Sequence, residues 1–199
     1  SAGQLGRELK RSLACLGDLV ACDRQALDLA DADALAAAVR SIAPSVIVNA
    51  AAYTAVDAAE SDPAGATAIN AIAPTRLADE ARRLDALLVH YSTDYVFNGR
   101  KTAPYLEDDA TDPLSVYGRS KREGEQAIAA SGARHLILRT SWVYGLHGAN
   151  FLKTMLRLGE TRSEVGVVAD QQGNPTSAID VADALFAIAF TIALLTQWL

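Results

Sequence analysis

The stretch "SVIVNAAA", Ser45 to Ala52, is apolar almost without interruption. Such a run, too short for a helix and lacking alternation, is typical of a strand buried on both faces of a sheet. Just upstream, "DADALAAAVRSIA" puts Leu35, Val39 and Ile42 on one helical face, and Pro44 stops that helix. Before it lies "LVACD", Leu19 to Asp23, a short β-prone run ending in an acid. Earlier still, Leu5, Leu9, Leu13 and Leu16 repeat at helical spacing behind the opening "SAGQLG". Downstream, Pro63 to Leu84 reads as helix, with Pro63 suited to a first turn and Pro74 marking a kink or restart. The run "ALLVHYSTDYVF" reads as the next strand, a helix begins near Val116, and "RHLILRTSWVYG" follows as another strand. Parallel neighbours need crossover connections, so strand and helix in alternation predict an α/β fold with a parallel sheet covered by helices. Ligands gather at the carboxyl ends of such strands.

At 199 residues, half of them apolar, the chain has material for one domain with a core, here taken as residues 1–199. A net charge of −6 and the absence of any basic run exclude the usual nucleic-acid binder. Cys15 and Cys22 have no metal-ligand spacing and read as reduced cytoplasmic thiols. No signal-peptide pattern opens the chain, which again points to the cytoplasm. The apolar stretch Ala184 to Leu199, flanked by Asp180 and Asp183, is shorter than a membrane span and reads as a buried amphipathic helix, with no membrane partner.

Polar and aromatic groups follow each apolar run: Asp23-Arg24, Asn49 to Tyr53, Ser92 to Tyr95, and Thr140 to Trp142. Asp23 could cap a turn or accept hydrogen bonds from an adenosine ribose, and Arg24 could receive a 2′-phosphate. The sharpest signal is "SVYGRSK", in which Tyr117 and Lys121 stand four apart on one helical face. A phenol, with a pKa near 10, becomes usable for proton transfer when an ammonium lowers that value. Ser92 and Thr93 supply a hydroxyl at the preceding strand end, able to polarise a substrate oxygen.

Together "GQLG", "VIVNAAAYTAVDAAE", "NAIAP", "VHYSTDYVFNG", "SVYGRSKREGE", "LRTSWVYG", "NFLKTML" and "DQQGNPT" cover nearly the whole chain. In this order they resemble the extended short-chain dehydrogenase/reductase superfamily and, in its sugar-nucleotide branch, the dTDP-4-dehydrorhamnose reductases. The resemblance implies a Rossmann-like doubly wound sheet and reduction of dTDP-4-dehydro-L-rhamnose to dTDP-L-rhamnose, for rhamnose-containing polysaccharide, with NADPH or NADH as cofactor. It assigns Thr93, Tyr117 and Lys121 as catalytic. Gly3, Gln4 and Leu5 would meet the cofactor pyrophosphate, with Gly6 behind them. Asp23 would meet the adenosine ribose, Asp28 and Leu29 the adenine, and Ala51, Ala52 and Thr54 would line the dinucleotide. Asp94 and Trp142 would touch the dTDP-linked 4-keto-6-deoxyhexose, and residues from about 141 onward would begin the substrate side. It further implies a homodimer and a Mg2+ ion at a subunit interface.

Against that family pattern the first strand and most of the carboxyl-terminal substrate domain are absent. The expectation is that the strands at Leu19–Cys22 and Leu87–Tyr91 thereby lose a shared neighbour. Two alternatives stay open: a non-catalytic dinucleotide-binding subunit like the regulatory subunit of methionine adenosyltransferase, and a sugar-nucleotide epimerase or dehydratase. Dehydratases place a further acid after the hydroxyl–acid pair, where this chain has Tyr95. The acids of "DDATDP", Asp108 to Pro113, read as a solvated loop, Asp57 and Glu60 as helix-entry punctuation or an active-site wall, and Glu8 as a helix face or interface residue.

Overall fold

A computed structural model describes residues 2–197, the side chains of 193–197 excepted. In chain order the elements are α1 (Gln4–Leu13), α2 (Ala32–Ile42), β1 (Val46–Asn49), α3 (Val56–Ser61), α4 (Pro63–Thr67), a π-helical turn (Ala68–Ile72) and α5 (Ala73–Leu84). They continue with β2 (Leu87–Thr93), a 3-10 turn (Asp94–Val96), α6 (Val116–Ala130), β3 (His135–Thr140), β4 (Val143–Tyr144), α7 (Phe151–Thr161), β5 (Thr176–Ser177) and α8 (Ala178–Gln197). Where the sequence reading takes one domain, the chain divides into two compact units, residues 22–140 and residues 1–21 with 141–199.

The first unit is a parallel sheet in the order β1-β2-β3. Asn49 stands opposite His90, and Thr93 opposite Thr140. Leu35 and Val39 of α2, Leu77, Ala78 and Ala81 of α5, Leu88 of β2 and Ile128 of α6 form its core. Asp31 caps α2 by accepting from the Ala34 N–H, and Ala43 ends it in the left-handed region before Pro44. Ile42, expected on the buried face, is 40% exposed because that helix is already turning out into its cap.

Two further expectations are corrected. Leu19–Asp23 takes no strand form, and Leu19 and Val20 lie exposed. A strand persists only where its N–H and C=O groups find a ladder partner. Nor does Leu87–Thr93 lose a neighbour: it is the central strand, paired with β1 on one side and β3 on the other.

Pro74 lies in the first turn of α5, directly after the π-helical turn. A proline inside a helix removes one hydrogen bond and crowds the carbonyl four residues back, here that of Asn70; the wide π turn accommodates both. The released Asn70 carbonyl faces Gly124 of α6, where an added Cβ would stand 2.2 Å from it. An added Cβ at Gly118 would stand as close to the Tyr95 carbonyl, at 2.3 Å. Both glycines are where α6 meets backbone directly.

In the second unit α1 packs on α8 through Leu9, Leu13, Val181, Ala182 and Leu185, and Ser12 Oγ donates to the Ala182 carbonyl at 3.0 Å. The amphipathic reading therefore describes the first half of α8, while Trp198 and Leu199 lie outside the described residues. Among the described residues no helix is long and apolar enough to cross a membrane. Glu8 is buried, paired with Arg11 at 3.0 Å and 3.8 Å from His147.

Candidate active site

The site is assembled where β2 ends and α6 begins. Ser115 caps α6 by accepting from the Gly118 N–H at 3.0 Å, and Glu60 accepts from the Val116 N–H at 2.8 Å. With its first turn held from both sides, α6 turns Tyr117, Gly118, Ser120, Lys121, Gly124, Glu125 and Ile128 inward at helical spacing. Tyr117 and Lys121 thus share one buried face, at 8% and 1% exposure. The Thr93 hydroxyl donates to Asp94 Oδ1 at 3.1 Å and accepts from the Tyr95 N–H at 3.2 Å. The Tyr95 ring meets the Tyr117 ring edge to face, centroids 5.5 Å apart.

Electrostatics at the phenol differ from the sequence reading. Burial pushes the Tyr117 pKa up, a hydrogen bond with Thr93 offsets part of that, and Asp94 and Tyr95 add to the rise. The expected lowering by Lys121 is not seen, because the amine is engaged elsewhere. Lys121 Nζ donates to the Tyr91 carbonyl at 2.6 Å and stands 3.2 Å from His90 Nε2. Burial lowers the Lys121 pKa to about 8, against a smaller raising effect of Glu125, and that of His90 to about 3, with Lys121 adding to the fall. A phenol held protonated is the correct form for an acid rather than a base.

Asn70, which the sequence reading passed over, ties these pieces together at 1% exposure. Its side chain accepts from the Tyr53 N–H at 2.9 Å and donates to the Tyr53 carbonyl and to Ser120 Oγ, both at 3.0 Å. It joins the loop after β1, which carries Ala51, Ala52 and Thr54, to α6. The proline four residues after it was the available signal. Behind α6, Arg139 makes a two-pronged pair with the buried Glu125, at 2.9 and 2.8 Å.

Other expected positions are placed as follows. Asp23 accepts from the N–H groups of Gln25 and Ala26, and Asp28 from that of Ala30, so both carboxylates hold turns here. Leu29 packs against the core of residues 22–140. In the second unit Gly3 is the N-cap of α1, and an added Cβ there would meet nothing within 4 Å. Leu5 follows in the first turn of α1, and Gln4 bonds Asn150 at 2.8 Å. Trp142 has a φ of +45° and lays its indole against Gly173, where an added Cβ would come within 2.6 Å of the ring. The Asp109 carboxylate pairs with Lys101, and Asp112 accepts from Asn98. Among the described residues no three His, Cys, Asp or Glu side chains converge on a metal position.

A parallel α/β sheet with a strand-end threonine and a Tyr-x-x-x-Lys pair on the following helix defines an extended short-chain dehydrogenase/reductase of Rossmann-like fold. Comparison with known proteins narrows the class. The family model described as "RmlD substrate binding domain" matches residues 1–197. The dTDP-4-dehydrorhamnose reductase of Burkholderia thailandensis is 52% identical over 181 residues, 91% of this chain and 61% of that protein. The reductase of the same name from Escherichia coli K12 is 50% identical over 196 residues, 96% of this chain and 65% of that protein. A dTDP-4-dehydrorhamnose reductase from Bacillus anthracis, solved in complex with NADP, superposes with a TM-score of 0.92 at 40% identity, covering 96% of this chain and 68% of the other. The chain belongs to the RmlD substrate-binding-domain family, that of the dTDP-4-dehydrorhamnose reductases. It spans 61 to 65% of the length of the curated relatives named.

Proposed function

We propose that this chain carries the proton-donating and cofactor-holding residues of a cytoplasmic reductase acting on the C4 ketone of dTDP-4-dehydro-L-rhamnose. The observation that carries the reading is a buried Tyr117, kept in its phenol form, beside the Thr93 hydroxyl at the carboxyl end of β2. The residues fit a nicotinamide dinucleotide. Within the second unit by itself, Gly3 leaves the amino end of α1 open, and exposed N–H groups at a helix start suit a diphosphate. As an ammonium, Lys121 keeps one N–H beyond those engaged by Tyr91 and His90, and that donor would serve a ribose hydroxyl. NAD(P)H, when bound, supplies the hydride that reduces C4.

Thr93 orients the ketone oxygen by a hydrogen bond, and Tyr117 gives it a proton as negative charge develops there. Edge contact with Tyr95 and the backbone fit of Gly118 hold the phenol in place, so little reorganisation is needed during proton transfer. The single Thr93 hydroxyl proton, donated here to Asp94, turns from that carboxylate to the ketone oxygen when substrate binds.

Tyr117→Phe tests the reading. Cofactor binding, followed by fluorescence of the reduced nicotinamide, stays near that of the unchanged protein, while turnover of the 4-keto sugar nucleotide falls by about 100- to 10,000-fold. A variant that keeps its turnover overturns the assignment. Binding without turnover in the unchanged protein would instead favour the non-catalytic dinucleotide-binding alternative.

A further inference from the structure

Between β1, β2 and α6 runs a chain of polar contacts that the proposed chemistry does not use. The Ala51 N–H donates to Asn49 Oδ1 at 3.3 Å. That places Asn49 Nδ2 toward His90 Nδ1, 3.1 Å away. On the other side of the ring His90 Nε2 meets Lys121 Nζ at 3.2 Å, and Lys121 donates to the Tyr91 carbonyl. Asn49, His90 and Lys121 are 5%, 0% and 1% exposed, so water does not complete the chain for them.

His90 therefore lies between two nitrogens that both carry hydrogens, yet a neutral imidazole accepts at one nitrogen only. With Lys121 as a neutral amine each contact of the chain pairs one donor with one acceptor: Ala51 N–H to Asn49, Asn49 to His90 Nδ1, His90 Nε2–H to the Lys121 lone pair, and Lys121 to Tyr91. With Lys121 as an ammonium, Nε2 must accept and the ring proton moves to Nδ1. The Asn49 amide then turns to present its oxygen to His90, and the Ala51 N–H loses its partner. Other charges around the pair do not resolve this conflict. Glu125 lies one turn further along α6 and is already matched by Arg139 and Arg122; Tyr117 lies one turn back, with Asp94 beyond it. From β1 comes the uncharged Asn49, and from the π-helical turn the uncharged Asn70.

We propose that Asn49 and His90 are positioning residues that couple the proton on Lys121 to the Ala51 N–H at the end of β1, so that protonating Lys121 releases that N–H to a ligand. The coupling is reciprocal. A bound acceptor at Ala51 favours the ammonium, and the neutral amine closes the Ala51 donor. Its role in turnover rests on the reading of Lys121 and Ala51 as cofactor-holding residues; the side-chain states do not.

Nuclear magnetic resonance of the unchanged protein, with labelled histidine and lysine, tests the coupling without turnover. As pH rises, the His90 ring proton moves from Nδ1 to Nε2, and the Ala51 amide proton shifts with the same midpoint as the Lys121 Cε signal. A His90 ring that keeps one tautomer through the Lys121 titration overturns the proposal. In Asn49→Asp the carboxylate accepts from Nδ1–H at every pH, leaving Nε2 to accept from the ammonium. The Lys121 midpoint then rises by about one pH unit or more, and the corresponding limb of the kcat/KM profile moves with it. An unmoved Lys121 midpoint in the folded variant contradicts the coupling. Loss of turnover in the unchanged protein with the His90 and Ala51 signals behaving as stated would remove the reductase reading and leave the coupling intact.

Discussion

At Lys121 a titratable amine occupies a position with 1% exposure, and burial lowers its pKa from 10.5 to about 8. Below about pH 8 the folded protein must charge a group it has removed from water, whereas the unfolded chain charges it freely up to about 10.5. The cost, on the order of 3 kcal/mol, is complete below the folded value and fades as pH rises through the interval between the two. Lys121→Met removes it, at the expense of the hydrogen bonds to the Tyr91 carbonyl and to His90 Nε2, together about 1–2 kcal/mol. The variant is expected to be about 1–3 kcal/mol more stable than the unchanged protein at pH 7 and no more stable at pH 10.5, while turnover collapses. Urea denaturation at the two pH values checks this; a variant less stable at pH 7 contradicts it.

Among the elements, α6 does most to bring the site together, and its glycines show how closely it approaches its neighbours. Gly124 meets the Asn70 carbonyl and Gly118 the Tyr95 carbonyl, both backbone atoms unable to rotate away. Alanine normally favours a helix interior by about 1 kcal/mol over glycine. Here the added Cβ must displace backbone, and overpacking of this kind costs about 1–3 kcal/mol, so Gly124→Ala is expected to lower the Tm. Gly118→Ala acts nearer the chemistry. It moves the turn bearing Thr93 and Asp94 relative to Tyr117, so kcat falls by about 10-fold or more while the Tm changes less than in Gly124→Ala. Equal Tm losses with unchanged kcat would make Gly118 a packing residue only. These glycines carry the pattern "SVYGRSKREGE", yet spacing alone shows only that Tyr117 and Lys121 share a face. Which carbonyls that face meets depends on the π-helical turn before Pro74 and on the 3-10 turn after β2, both set by tertiary contact.

For the molecule as a whole, alternating apolar runs made the parallel sheet legible though not the central place of β2, and the strand-end rule located Thr93 and Asp94. The failures share one cause: they concern groups whose state is decided by a partner distant in sequence. Leu19–Asp23 has β-prone residues but takes no strand form, and Lys121 is drawn from Tyr117 by Tyr91 and His90. The same long-range burial governs acid stability. His90, neutral in the fold, has a pKa lowered from 6.5 to about 3, so between these values the unfolded chain binds a proton that the folded one does not. Stability therefore falls as pH drops through this window, by about 1.4 kcal/mol per pH unit. Glu80 adds to the loss at lower pH, since its hydrogen bond from Arg40 holds its carboxyl below the usual value. For Glu125, burial raises the pKa but the hydrogen bonds and charges of Arg139 and Arg122 bring it below, with the same consequence. Amide exchange of Leu88 to Ser92, followed from pH 7 to pH 4, should show opening free energies declining along the one-proton slope before the carboxylates titrate. His90→Leu removes the upper part of that decline and leaves the carboxylate part, whereas an unchanged slope in the variant would place the sensitivity elsewhere.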